Sequence, residues 1–372
     1  MELSSEDSLR LNVLLANKPQ AIRIDEAKFM VHGLAEQGEF SVPLHPSGRP
    51  ESYLRAVREL ISGHILGSPG GYPIYLRRWT RMGQMREQSL EPLLMLGEPE
   101  AVVAAVCSPG LTEELARRAW WAMEDADNAR HMLAHDSIVA SPFGTELAEY
   151  LIDFLPFETD SDPIMDSVQR VLQPGLISAE QRLDLWHKSA RKPACLVGFL
   201  RARPDDLPEP LAPRAMADEL QQLLALAVQA GEPSASLLLR CSSGVGQRFL
   251  DTLSRVLAKA PNQEVLMATL DVMHAYFASL RPEGDPGLTI TELQAEAEQF
   301  AQAASQHGAL ANALEQRPQL HAELVALRLL SGVSYATLRP LLPDPTTLGT
   351  LMRRKLAPVM EPLQAAIADL RA

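Results

Sequence analysis

The chain has 372 residues, too many for one ordinary hydrophobic core, since single cores seldom grow past roughly 250 residues. Hydrophobic residues make up 46% and charged residues 22%, which excludes a disordered chain. With 34 basic against 47 acidic side chains the net charge is −13, so the surface as a whole repels phosphate backbones and any nucleic-acid role is confined to a local basic patch.

Cys107, Cys195 and Cys241 lie far apart with no CxxC spacing, which argues for neither a disulfide framework nor a zinc cluster. A reducing compartment is the simplest reading. Met1 to Leu11 carries Glu2, Glu6 and Asp7 and has neither the basic start nor the apolar run of a signal peptide. No later stretch reaches the ~18 uninterrupted apolar residues of a membrane span. The expectation is a cytoplasmic protein without membrane insertion.

In chain order, strand signals come first. Ile22 and Ile24, then Phe29 and Val31, then Phe40, Val42 and Leu44 alternate with polar neighbours and predict a short β-meander. Leu54, Val57, Ile61 and Ile65 recur at spacings of three and four and predict a helix from about Glu51 to the breaker Gly67-Ser68-Pro69-Gly70-Gly71. These make a small α+β region over residues 1–90.

Residues 91–203 carry a loose internal repeat, with Pro109, Pro142 and Pro174 spaced 33 and then 32 residues apart. Each introduces a helix, near Ala116, Leu147 and Gln181, after a shorter apolar helix ending near Cys107, Ile138 or Leu172. Helix pairs of this kind bury their apolar faces by stacking, as in a solenoid. Pro204, Pro208, Pro210 and Pro213 read as a linker over 204–213, because proline stiffens extended chain.

A C-terminal helical bundle is expected over 214–372. Met216, Leu220, Leu223, Leu224 and Ala227 form one apolar stripe, and Phe249, Leu253, Val256 and Leu257 another. An alanine- and glutamine-rich helix follows from about Thr291. The fold class is thus mainly α, with a small N-terminal β element.

The sharpest electrostatic anomaly is Leu66 to Arg86, with Arg77, Arg78, Arg81 and Arg86 beside Tyr72, Tyr75 and Trp79 and no acidic residue. A glycine-rich turn leading into a helix offers backbone N–H groups, and arginines one turn apart can grip a phosphate or carboxylate. The alternative is that they pair with the protein's own acid surplus. His131 and His135 stand four apart, which on one helix would align both imidazoles, but no third ligand accompanies them and no metal is expected. The stretch Cys241 to Gly246 lacks the Gly-Lys-Ser/Thr ending of a phosphate loop and reads as a serine-capped helix start. There is no Gly-x-Ser-x-Gly elbow and no carboxylate pair that singles out an acid and a base. Neither catalytic residue nor cofactor is assigned.

Leu327 to Leu356 reads as helix, Gly332 break, short helix through Leu338 and Leu342, turn, and a third helix ending in Arg353, Arg354 and Lys355. Through Gly332, Ser334, Tyr335, Leu338, Thr347 and Leu348 it resembles region 4 of sigma factors, although Pro340 and a one-residue deletion depart from that pattern. Arg339 to Leu356 carries a local charge of +3. That makes a nucleic-acid-binding regulator the alternative function.

Taken over nearly its full length, the chain resembles the DsrS accessory proteins encoded with the dissimilatory sulfite reductase system of sulfur-oxidising bacteria. The resemblance rests on Leu9 to Asn17, on Ser62 to Pro73 with Tyr75 to Gly83, and on Ala119-Trp120-Trp121-Ala122-Met123. It implies a cytoplasmic role supporting bacterial sulfur oxidation through the reverse sulfite reductase pathway, with a protein partner from that pathway. It supplies no active site. The expected function is a non-enzymatic accessory or regulatory protein acting by protein contact. A third reading, sulfur carriage on a thiol, needs an exposed cysteine in an electropositive setting. Cys107 and Cys195 sit in apolar runs, leaving Cys241.

Overall fold

The computed structural model describes residues 3–73, 90–306, 309–341 and 349–371. They form two compact units, one of residues 1–157 with 173–177, the other of 158–172 with 178–372.

The first unit opens with α1 (Ser5–Ala16), capped by the Ser4 hydroxyl, which accepts from the Asp7 N–H at 3.0 Å. The expected meander follows as β1 (Ala21–Asp25), β2 (Met30–Ala35) and β3 (Gly38–Pro43), antiparallel in the order β1-β2-β3. Val31 pairs across to Ile24 on one side and Val42 on the other, so the alternating apolar residues share a register. Gly33 lies opposite Phe40, whose ring covers it; a Cβ there would stand 2.6 Å from Phe40 Cζ. α2 (Pro50–Leu66) starts with a proline in its first turn and ends at Gly67 in the left-handed region. Leu11, Leu14, Ile22, Val31, Tyr53, Val57 and Ile61 from these elements make one core.

The unit continues through α3 (Glu91–Leu94), α4 (Pro99–Val106), α5 (Glu113–Ala122), α6 (Ala126–Met132), α7 (Asp136–Val139) and α8 (Pro142–Phe154). α5 packs on β1, and α3 packs on α4 and α5. The short stretch 173–177 belongs here because Gln173 donates to the Leu133 carbonyl at 2.9 Å and Leu176 packs on Gly144.

The second unit contains α9 (Ser161–Val171), α10 (Ala179–Ser189), α11 (Pro193–Ala202), α12 (Ala217–Gln229), α13 (Pro233–Ser242), α14 (Gly244–Lys259) and α15 (Gln263–Phe277). It continues with α16 (Ile290–Gln306), α17 (Ala309–Gln316), α18 (Leu320–Gly332), α19 (Tyr335–Leu338) and α20 (Gly349–Asp369). α9 lies close along α11 because Gly198 has no side chain; a Cβ there would meet Val168 Cβ at 2.6 Å. α18 is the central helix, packed against α15, α16 and α20 and buried nearly all round.

The helix starts expected after Pro109, Pro142 and Pro174 are present as α5, α8 and α10. The intervals between them are filled unequally, since two short helices, α6 and α7, stand between α5 and α8. Residues 91–203 are shared between the two units, which part after Phe157. The proline cluster lies within the second unit, tied by Leu211 N–H to the Gly244 carbonyl at 3.1 Å and by Arg214 N–H to Ser242 at 2.9 Å. Leu207 inside it is buried.

Candidate functional site

Arg77, Arg78, Arg81 and Arg86, with Tyr75 and Trp79, lie outside the described residues. The turn that leads to them is described, and its N–H groups are not free as expected. The Ser62 hydroxyl accepts from Gly71 N–H at 2.7 Å and Gly70 N–H at 3.3 Å, and itself donates to the Ser68 carbonyl at 2.8 Å. Tyr72 N–H donates to the Glu98 carboxylate at 3.2 Å. A side-chain carboxylate therefore already sits where an anion was expected. Gly71, at a φ of +58°, is pressed so close to Glu98 that a Cβ would lie 2.0 Å from its Oε1.

His131 and His135 do not share a helix face. α6 ends at Met132, and His135 is the extended residue that precedes α7, with its Nε2 2.9 Å from the Val106 carbonyl. Among the described residues no group of three or more His, Cys, Asp or Glu side chains is arranged to hold a metal ion.

The thiols reverse the sequence reading. Cys241 is wholly buried and its pKa is pushed up to about 12 by burial, whereas Cys107 is exposed. Cys241 is lost inside because α13 and α14 pack against each other around it. Burial also raises the Cys107 and Cys195 thiols, so none is activated as a thiolate.

Arg353, Arg354 and Lys355 fall near the start of α20, not at its end; the helix runs on to Asp369 with Pro358 and Pro362 inside it. Arg353 donates to the Ala260 carbonyl at 3.3 Å and to Thr350 Oγ1 at 3.2 Å, while Arg354 and Lys355 are exposed. Thr347 and Leu348 of the sigma-like pattern lie outside the described residues. Ser243 caps α14 as expected, accepting from Gly246 N–H at 3.0 Å.

The first unit carries a surface feature that the sequence reading did not single out. Neighbouring tryptophans leave the end of α5 in different directions. Trp121 turns to the sheet, where its indole N–H donates to Glu39 at 3.2 Å and the Arg23 guanidinium lies 4.9 Å over its ring. Trp120 meets α8, edge-on to Tyr150 at 4.7 Å and to Phe143 at 6.5 Å. Tyr150 and Phe154, one turn apart on α8, stack with planes 6° apart and centroids at 5.9 Å. Phe157, in the turn after α8, continues the row at 6.2 Å from Phe154.

This is an unbroken aromatic ridge that passes from half-buried Trp120 to Phe154, 36% exposed, and Phe157, 74% exposed. Its surroundings are acidic. Burial first, then the charges of Glu124 and Asp125, raise the Tyr150 hydroxyl. Glu149 and Asp153 stand exposed on α8, and residues 131–157 of this unit contain four acidic side chains and no lysine or arginine. Arg117, over the Phe143 ring at 4.5 Å, is held by Glu113 and Glu146. Aromatic anchors of this kind dominate protein interfaces, and an acidic rim selects a basic counterpart.

Of the segments that carry the DsrS resemblance, Tyr75 to Gly83 lies outside the described residues. Leu9 to Asn17 covers the later part of α1 and its C-cap, Ser62 to Pro73 runs from the end of α2 into the turn held by Ser62 and Glu98, and Ala119 to Met123 places Trp120 in the ridge. No protein-family model, characterised protein or solved structure matches the chain.

Proposed function

We propose that the chain is a non-enzymatic accessory protein of bacterial sulfur oxidation, of the DsrS kind, acting in the cytoplasm by contact with a protein of the reverse sulfite reductase pathway. The observation that carries the contact mode is the Trp120–Tyr150–Phe154–Phe157 ridge with its acidic rim. Exposed aromatic rings in a row cost solvation free energy that a partner's apolar surface recovers, and the acids steer a basic one. The pathway rests on the resemblance. Among the described residues no helix is long and apolar enough to cross a membrane, in keeping with a protein that meets its partner in aqueous solution.

The test is affinity capture from nuclease-treated extract of a sulfur-oxidising bacterium. Wild type is compared with a Phe154→Ser/Phe157→Ser variant and with an Arg77→Ala/Arg78→Ala/Arg81→Ala variant, and the captured proteins are identified by mass spectrometry. Sulfite reductase system proteins held by wild type and lost by the phenylalanine variant support the reading. Retention by that variant and loss by the arginine variant would move the contact to the arginine segment. Capture of unrelated proteins alone would remove the pathway assignment.

The alternative, a nucleic-acid-binding regulator, is favoured only by the exposed Arg354 and Lys355 near the start of α20. It predicts nuclease-sensitive capture whose salt dependence falls when Arg353, Arg354 and Lys355 are neutralised.

A further inference from the structure

The second unit contains an open cleft of about 330 Å³ framed by α9, α11, α13 and α15. Its apolar lining includes Leu200, Pro204 and Val272. One wall is self-contained: the Arg240 guanidinium lies 3.5 Å over the Tyr276 ring and donates to Asp205 at 2.6 and 2.5 Å and to the Tyr276 carbonyl at 2.9 Å. That arginine brings its own counter-ion and leaves the wall close to neutral.

Two other charges line the same cleft, Arg201 at the end of α11 and Asp271 on α15. Neither makes a hydrogen bond or an ion pair with a described residue, and they do not pair with each other. A simple anion drawn to Arg201 would meet Asp271, and a simple cation drawn to Asp271 would meet Arg201. A molecule with both charges and an apolar body satisfies both poles and the lining. The volume sits at the lower end of the roughly 300–1,000 Å³ typical of ligand pockets, which suits a metabolite of amino-acid size.

We infer that this cleft binds a free α-amino acid with an apolar side chain, Arg201 taking the carboxylate, Asp271 the ammonium, and Leu200, Pro204 and Val272 the side chain. The site lies in the second unit and is independent of the aromatic ridge.

Equilibrium dialysis or calorimetry with the full chain uses L-leucine as probe, beside 4-methylpentanoate, which lacks the ammonium, and 3-methylbutylamine, which lacks the carboxylate. L-Leucine binds at least about tenfold more tightly than either analogue, as expected when one charge-assisted contact is removed. Arg201→Gln abolishes the preference over 3-methylbutylamine, and Asp271→Asn the preference over 4-methylpentanoate. Both side chains reach solvent and hold no internal partner, so the variants keep the wild-type circular dichroism; should one fail to fold, the other still tests its own pole. Equal affinity for all three compounds, unchanged preferences in the folded variants, or no leucine binding at concentrations on the order of 10 mM overturns the inference.

Discussion

Arg214 and Glu323 meet through two parallel hydrogen bonds of 2.8 Å, both side chains almost wholly buried and 109 residues apart in the chain. Arg214 closes the proline-rich strap and Glu323 sits in the first turn of α18, so the pair pins the strap to the central helix. Removing one member leaves a buried, unmatched charge. Glu323→Leu or Arg214→Met alone is expected to lower stability by about 3–5 kcal/mol, and the double substitution to recover most of the loss. Urea unfolding of the four proteins checks this. Single variants within about 1 kcal/mol of wild type would mean that the pair is not what secures the strap.

Asp7, in the first turn of α1, is buried and accepts from the Tyr53 hydroxyl at 2.7 Å and the His45 N–H at 3.3 Å. Burial alone would raise its carboxyl, but hydrogen bonds from Tyr53, Ser4 and His45 outweigh that and hold it below its ordinary value. A carboxyl held low in the folded state stabilises the fold above the unfolded pKa of about 4 and loses that contribution as the pH falls through its folded value. Asp7→Asn should cost about 1–3 kcal/mol at neutral pH, and the gap to wild type should narrow as the pH drops below about 4. Thermal unfolding between neutral and acid pH measures it; a constant gap would assign the loss to shape alone.

Tyr276 lies against Phe249 at 3.7 Å between centroids, and its buried hydroxyl has no hydrogen-bond partner among the described residues. Burial pushes that hydroxyl well above its ordinary pKa. An unpartnered buried hydroxyl costs desolvation without return, so Tyr276→Phe should leave stability unchanged or raise it by about 1 kcal/mol. A loss of that size would show that the hydroxyl is satisfied in solution.

Much of the fold was legible because local chemistry and tertiary demand agree. Ile22, Ile24, Val31 and Val42 alternate with a period of two because one sheet face packs on α1 and α2. Ser243 announces α14 because its hydroxyl accepts from the first turn. Cys241 was misread because its burial comes from the packing of α13 on α14, which no local pattern reports. His131 and His135 were misplaced because α6 stops at Met132 with neither glycine nor proline to mark the end. The aromatic ridge was overlooked because Trp120 and Tyr150, 30 residues apart, meet only in the fold. Its signals were the one-turn spacing of Tyr150 and Phe154 and the acidic run of 131–157, free of lysine and arginine.

Of the three cysteines, Cys107 alone is exposed. A thiol-specific disulfide reagent should therefore titrate one group per chain in the native protein, slowly because the thiol is not acidified, and all three in denaturant. Cys241→Ser should leave persulfide loading unchanged. Rapid native titration of two or three thiols would contradict the burial of Cys195 and Cys241.

Phe157 projects into solvent, whereas Trp120 is wedged among Phe143 and Tyr150. Truncation at the two ends of the ridge should separate binding from stability. Phe157→Ser should stay within about 0.5 kcal/mol of wild-type stability, as exposed substitutions do, while weakening the partner complex about tenfold or more. Trp120→Ala should cost about 3 kcal/mol of stability by leaving a cavity beside α8. Glu149→Gln with Asp153→Asn should slow association and flatten its salt dependence, leaving dissociation nearly unaltered, because rim charges act on encounter. Surface plasmon resonance on the captured partner, read beside urea unfolding, distinguishes these effects. A Phe157→Ser protein that binds at wild-type strength would take the ridge out of the interface, whereas one that unfolds would show the ring to be structural.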